Sequence, residues 1–510
     1  MRFIPNSSLL SIVLLAISLS SIGAVLGCRG LLSDSHAQQK GPVIQLDKDG
    51  DLQAAINRAR PGDTIVLQAG AIYTGPFTLP VKPGSEYITI QSSRVADLPE
   101  GARVSPAQSA LFAKLQSAEK SAAVVRTQPG AHHYKFIGIE FSTANENVVV
   151  HDLVRLGEAN TQTTMDAVPH HLVIDRSYIH GFESQEVQRG ISLNSAETSI
   201  TNSYISDVHG KGYDTQAICG WNGPGPYKII NNYLEGSGEN VMFGGSDPSI
   251  PNLVPSDIEF RNNFVFKPLS WKQGDPSYAG RHWSVKNLFE LKSARRVIID
   301  GNVFENNWVD AQAGPAILFT VRNQDGKAPW STIEDVTFTN NILKNSPAAI
   351  NLLGKDNLQP SQRAARIKIS NNFFTGIANT FLTINGYPDV TISNNTHFQS
   401  GNIMTLYGDP SQNFVYENNI TIRDSKSYGV KGDSTGEGTI ALGQFTPAAV
   451  FRNNVIAGAN SSLYPRDNFY PASMSEIGFI APENGDFRLS SKSKYKQAGA
   501  NFDLLPKLSK

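Results

Sequence analysis

At 510 residues the chain has room for roughly two to four ordinary domains, or for one domain that grows by repetition. Charged residues make up 17%, below the usual quarter or so, while Gly, Asn, Ser and Thr are plentiful, a balance that favours strands and turns. A net charge of −1 excludes a general nucleic-acid binder, which needs many cations facing phosphates, and with no heptads or long charge runs a monomer is expected.

The first predicted element is a targeting segment. Arg2 precedes an apolar stretch from Leu9 to Leu26, which ends in Val25-Leu26-Gly27-Cys28. A short positive region, an apolar core and small residues before a cut describe an export signal, not a structural helix. The last four residues resemble a bacterial lipobox, in which the cysteine is lipidated, so residues 1–27 are expected to be a lipoprotein-type signal and 28–42 a linker. Cleavage after Ser35-His36-Ala37 is the alternative, giving a freely secreted or periplasmic protein. Attachment to a membrane is expected only through lipid on Cys28, because no other segment is long and apolar enough to cross one. Cys219, the only other cysteine, then lacks a disulfide partner and reads as a small buried residue.

Residues 43–510 are expected to form a single domain. Leu52, Ala55, Ile56 and Ala59 fall at helical spacing, so Asp51 to Arg60 reads as a short amphipathic helix. Pro61-Gly62-Asp63 stops it, and Thr64 to Leu67 starts a strand. From Ile174 onward a unit recurs: an apolar residue, a polar one, Asn-Asn or a variant of it, then another apolar residue. Clear copies are Ile230-Asn231-Asn232-Tyr233, Phe260-Arg261-Asn262-Asn263-Phe264, Phe338-Thr339-Asn340-Asn341-Ile342 and Ile369-Ser370-Asn371-Asn372-Phe373. The copies lie about 23 to 39 residues apart, the spacing of a solenoid or array. Each unit holds two or three short alternating runs and no helical stretch, which excludes β/α repeats and the four-stranded blades of a propeller. A right-handed parallel β-helix of about ten coils, capped at its start by the short helix, is what remains. Asn fits its corners, because it tolerates a left-handed backbone and its amide can bond to the next Asn in the stack. His132-His133 and His170-His171 precede strands and read as loop residues.

The stretch from Asp51 to Ile65 resembles the opening of many β-helix polysaccharide lyases, including the chondroitinase B and alginate lyase group. Asp486-Phe487-Arg488-Leu489, followed by Ala498-Gly499, resembles the tail of bacterial β-helix proteins. These resemblances imply a pectate-lyase-like fold and an acidic polysaccharide as the partner.

Candidate chemistry gathers where the coils are longest. Long loops are expected at Pro268 to Trp283 and Arg322 to Trp330, and all five tryptophans (Trp221, Trp271, Trp283, Trp308 and Trp330) fall between residues 221 and 330. Rings on loops of a rigid scaffold can stack on sugars, so these five, with Glu239 and His282, are the candidate substrate-binding residues. In Phe289-Glu290-Leu291-Lys292 the apolar pair faces in, so Glu290 and Lys292 face out. If Phe319 stacks on Leu291, Arg322 lies on the next coil, about 4.8 Å away. Lys292-Ser293 with a following arginine is similar to the lysine–arginine pair of the chondroitinase B and alginate lyase family. The spacing here is longer, and the arginine is followed by Asn323 rather than His-Gly. Lys292, Arg322 and Glu290 are therefore the candidate catalytic residues for β-elimination. The lysine must be neutral to take a proton, which crowding by Arg322, Arg295 and Arg296 would favour. A cation, arginine or Ca²⁺, must offset the charge that builds on the carboxylate. A hydrolase on the same fold would need two outward carboxylates, and a carbohydrate-binding protein would need the tryptophans without Lys292.

Overall fold

A computed structural model describes residues 41–423 and 429–507. The signal segment and Cys28 lie outside them. The chain winds as a parallel β-helix: strands of each coil pair with the coils before and after, in three parallel sheets of 14, 12 and 13 strands. The first sheet runs from Val43–Leu46 to Val450–Arg452, the second from Phe77–Leu79 to Val430–Gly432, and the third from Ile72–Gly75 to Val455–Ala457. The stack continues before the first repeat copy: Gly138 takes the left-handed corner there (φ +66°), Arg176 takes it in the copy that begins at Ile174 (φ +46°), and Asn takes it later.

Apolar residues at matched positions make the core. Ile200, Ile229, Phe260, Ile299, Phe338 and Ile369 stand in register along the first sheet, all fully buried. Phe304, Phe338 and Phe374 stack within the interior at 5.8 and 6.4 Å. The capping helix spans Leu52–Arg58, with Asp51 as its N-cap accepting from the Ala54 N–H, and buries Leu52, Ala55 and Ile56.

The repeated Asn pair divides its work between its two members. The first takes the left-handed corner: Asn231, Asn262, Asn340, Asn371, Asn394, Asn418 and Asn453 have φ of +55° to +58°. The second is buried and forms the ladder. From Asn232 to Asn454, each such Asn donates its side-chain amide to the Oδ1 of the next rung at 2.9–3.1 Å, and the series ends on Asn468. That Oδ1 also accepts the backbone N–H of the rung before it at 2.8–3.0 Å.

At the C-terminal end the helix Thr439–Phe445 buries Ala441, Leu442 and Phe445 beside the strand Val430–Gly432. After a hairpin (Phe479–Ala481 with Asp486–Leu489), the tail turns back along the Asn corner. Gly499 bonds Asn418, Asn501 bonds Asn371, and Leu505 packs on Ile342 and Phe373.

One interior residue makes the fold sensitive to acid. His397 is fully buried between Gln399, at 2.8 Å from Nδ1, and the Tyr416 hydroxyl, at 2.6 Å from Nε2. Burial pushes its pKa down to about 3. The unfolded chain therefore binds a proton near pH 6.5 that the folded chain refuses, so stability present above that pH is lost as pH falls toward 3. The loss is about 1.4 kcal/mol per pH unit. Melting temperature from pH 7 to 4 should fall more steeply for wild type than for His397→Gln; parallel curves would count against this assignment.

Candidate functional site

The outer face of the second sheet carries two rows of side chains that cross neighbouring coils, the first polar and the second mixed. One is Asp152, Arg189, Gln216, Glu239 and Asn287, paired in that order. The other is Arg155, Ser192, Cys219, Met242, Glu290 and Leu318. Two consecutive core residues separate the rows on several strands, as with Ala217-Ile218 and Leu288-Phe289. This places Gln216 and Asn287 on the outside, where strict alternation from Ile218 and Phe289 would put them inside. Buried Lys267 fixes the corner before Glu239, donating to the carbonyls of Gly236, Ser237 and Gly238 and to Asn240 Oδ1 at 2.6–2.9 Å.

The expected register around Lys292 is present. Leu291 pairs with Phe319, both buried, and the Arg322 N–H donates to the Lys292 carbonyl at 2.9 Å. The side chains then diverge. Lys292 Nζ lies 3.9 Å from Glu290 Oε1, whereas Arg322 reaches the following coil and meets Asp356 at 3.3 Å and Asn357 at 2.7 Å. The buried Asp356 carboxylate draws it there, since a buried charge needs a partner. Arg295 and Arg296 do not crowd Lys292: they lie on a strand of the first sheet, where Arg296 grips Asp257 at 2.6 and 2.7 Å.

Glu290, although on the outer row, is only 2% exposed and accepts from Asn287 at 2.9 Å. Glu239 is fully buried; it accepts from Gln216 at 2.7 Å, and Lys286 Nζ stands 3.5 Å away. Burial, with Glu290 and Asp214 nearby, pushes the Glu239 carboxyl up to about 7. Gln216 Oε1, Glu239 Oε1 and Asn287 Oδ1, in register on three coils, have no hydrogen-bond donor among the described residues. Carboxylate and amide oxygens are the donors Ca²⁺ takes, so Glu239, Asn287 and Glu290 fit that ion in type.

The tryptophans do not form one aromatic groove. Trp271, Trp283 and Trp308 are buried together with Val285, and His209 stacks on Trp283 at 4.0 Å. Their large apolar faces fasten the Pro268 to Trp283 loop to the solenoid. Trp330 is half-buried and donates to the Leu253 carbonyl at 2.9 Å, tying two loops together. Trp221 lines an open cleft of about 530 Å³, with Asp152, Arg155, Glu158, Arg189 and Met242. Arg189 lies over its ring at 5.1 Å, and Asp152 bridges the two arginines at 2.8 and 3.4 Å. His282 is exposed and pairs with Asp310 at 2.6 Å. Cys219 is buried, and burial pushes its thiol up to about 12, so it is no nucleophile at neutral pH.

Lys292 borders the cleft. A Cβ on Gly244, at φ +96°, would come within 2.8 Å of Lys292 Cβ, and Gly244 and Gly245 line the cavity. In coil order the strand of Cys219 follows that of Arg189, and the strand of Met242 separates it from the one that leads into Lys292. Sequence reasoning missed Asp152, Arg155, Arg189, Gln216 and Asn287. The signal was there, two or three residues from the core position of each unit, but most of these units lie at the weak end of the Asn repeat.

The sequence matches no family model and no curated protein. Solved structures do resemble it. A PL6 family alginate lyase, AlyGC, superposes with a TM-score of 0.57 at 13% identity, over 91% of this chain and 57% of that one, so this chain spans little more than half of the larger enzyme. A PL6 alginate lyase in complex with a trisaccharide gives 0.53 at 13% identity, over 91% and 95% of the two chains. The catalytic unit of a GH87 α-1,3-glucanase from Streptomyces thermodiastaticus gives 0.51 at 12%, over 80% and 68%. At such identities the likeness establishes the fold alone: the chain is a right-handed parallel β-helix.

Proposed function

We propose that this chain is an exported, carbohydrate-active protein that cleaves a uronate-containing polysaccharide by β-elimination on the outer face of the second sheet. The observation that carries the reading is the junction of a cleft walled by Arg155, Arg189 and Trp221 with the strip that holds Glu239, Glu290 and Lys292. Cations beside a ring suit a sugar that bears a carboxylate. The fold shared with two alginate lyases supports the same reading.

In this reading Lys292 Nζ, in its neutral form, accepts the proton α to the uronate carboxylate. The electron pair left behind forms a carbon–carbon double bond, and the glycosidic oxygen leaves from the β carbon and is protonated by water. Arg189 serves as the carboxylate partner in place of Arg322, whose guanidinium is held by Asp356 and Asn357. A hydrolase is the second reading, favoured by Glu239, raised to about 7 beside Glu290. Both carboxyls are shut away from a sugar, which ranks it second. Incubation with a panel of uronate polymers, read by ultraviolet absorbance and product mass, tests the proposal.

Export rests on the leader and on Val25-Leu26-Gly27-Cys28. Metabolic labelling with a fatty-acid analogue should mark the wild type and not Cys28→Ser. Labelling of both, or of neither, would remove the lipid anchor and leave secretion.

A further inference from the structure

The outer surface of the first sheet carries a second group of chemically able side chains, on a different sheet from the cleft. His132-His133 and His170-His171 lie within strands, not in loops, and His132 pairs with His170 on adjacent coils. The four rings form a two-by-two block. His132 stacks on His170 at 4.8 Å and His133 on His171 at 4.2 Å, and within each pair the Nδ1 atoms are 2.8 and 2.7 Å apart. Glu197, on the next coil, meets His171 Nε2 at 2.7 Å. Ligand atoms of His133, His170 and His171 all lie within 4.8 Å of one another.

Other coils solve this corner differently. At the same left-handed turn, Asp257 faces Arg296 and Asp335 faces Arg366, so the stack is held by opposite charges at 2.6 Å. Four imidazoles cannot compensate one another in that way. Each short Nδ1···Nδ1 contact needs one N–H and one lone pair, so in each pair the donating ring keeps a free lone pair on Nε2.

We propose that His133, His170 and His171, with Glu197 or His132 completing the set, bind one divalent transition-metal ion of the zinc, nickel or copper class. Imidazole nitrogen with one carboxylate is a donor set for those ions and not for Ca²⁺ or Mg²⁺. A Zn–N bond of about 2.0–2.1 Å needs ligand nitrogens about 3.3 Å apart, so small ring rotations within the half-buried block close the site.

The test uses the full chain without a polyhistidine tag, stripped with chelator, titrated with Zn²⁺ and with Ni²⁺ by calorimetry at neutral pH. One equivalent should bind with Kd at or below about 10 µM, and Zn²⁺ should raise the melting temperature. The double variant His133→Asn/His171→Asn keeps residues that tolerate the left-handed turn, and it should bind at least ~10-fold more weakly while melting like wild type in chelator. Should that variant misfold, His170→Gln, which leaves both left-handed turns untouched, should give the same loss. Copper-loaded wild type should show several equatorial nitrogens by electron paramagnetic resonance. No metal uptake by the wild type, or equal uptake by the folded variants, would overturn the proposal.

Discussion

Lys292→Ala should lower turnover of a uronate polymer at least ~10²-fold, the scale expected when a general base is removed. The residue sits between the cleft and the carboxylates, its backbone pinned by a bond from the Lys292 N–H to Phe243 at 2.8 Å, so the loss would be chemical and not conformational. Melting should fall modestly, because Lys292 is also the cation 3.9 Å from buried Glu290, so turnover is compared at a temperature where both proteins are folded. Arg189→Ala should reduce both turnover and apparent affinity, since an anchoring cation acts in the ground state as well as in the transition state. Arg322→Ala should behave differently: it removes the cation beside buried Asp356 and should lower melting more than turnover. If Lys292→Ala makes product as fast as wild type, Lys292 is not the base.

The second large effect is structural. Asn372→Leu should cost about 3–5 kcal/mol, because several buried partners lose their bonds at once. Its side chain donates to the Phe338 and Ser370 carbonyls and to Asn395 Oδ1, and it accepts from the backbone and side chain of Asn341, all within 3.1 Å. Leucine is of similar size and offers none of these. Asn371→Gly, at the neighbouring corner, should cost only about 1 kcal/mol, because glycine adopts the left-handed turn freely. Gly301 already occupies the equivalent position at φ +67°. Equal melting shifts for the two variants would contradict the division of labour within the Asn pair.

The parts of this molecule that follow from repetition were legible from the sequence. The inward parity of Phe289 and Leu291 and the short helix after Asp51 follow from local pattern, and the supposed stacking of Phe319 on Leu291 is the register found. Side-chain destinations were not. Arg322 turns to Asp356 because a carboxylate buried on the next coil competes for it, and no spacing within its own unit reveals that. The tryptophans cluster in sequence for packing: three bury one another beneath the loop they fasten. Gln216 and Asn287 escaped because the paired core residues before each strand centre break the two-residue period. The histidine pairs read as loop residues because they stand just before the apolar runs, whereas the strands begin at His132 and His170 with His133 and His171 in the left-handed region.

The measurement closest to the central claim is product analysis after incubation of the full chain with alginate, pectate and glycosaminoglycan uronate polymers in water enriched in heavy oxygen. β-Elimination breaks the glycosidic bond without adding water across it, so the new non-reducing ends should carry an ultraviolet-absorbing double bond and the new reducing ends should keep the original glycosidic oxygen. Products that carry solvent oxygen and lack the absorbance would make the chain a hydrolase. Binding without any cleavage would make it a carbohydrate-binding protein, and either result would contradict the lyase reading.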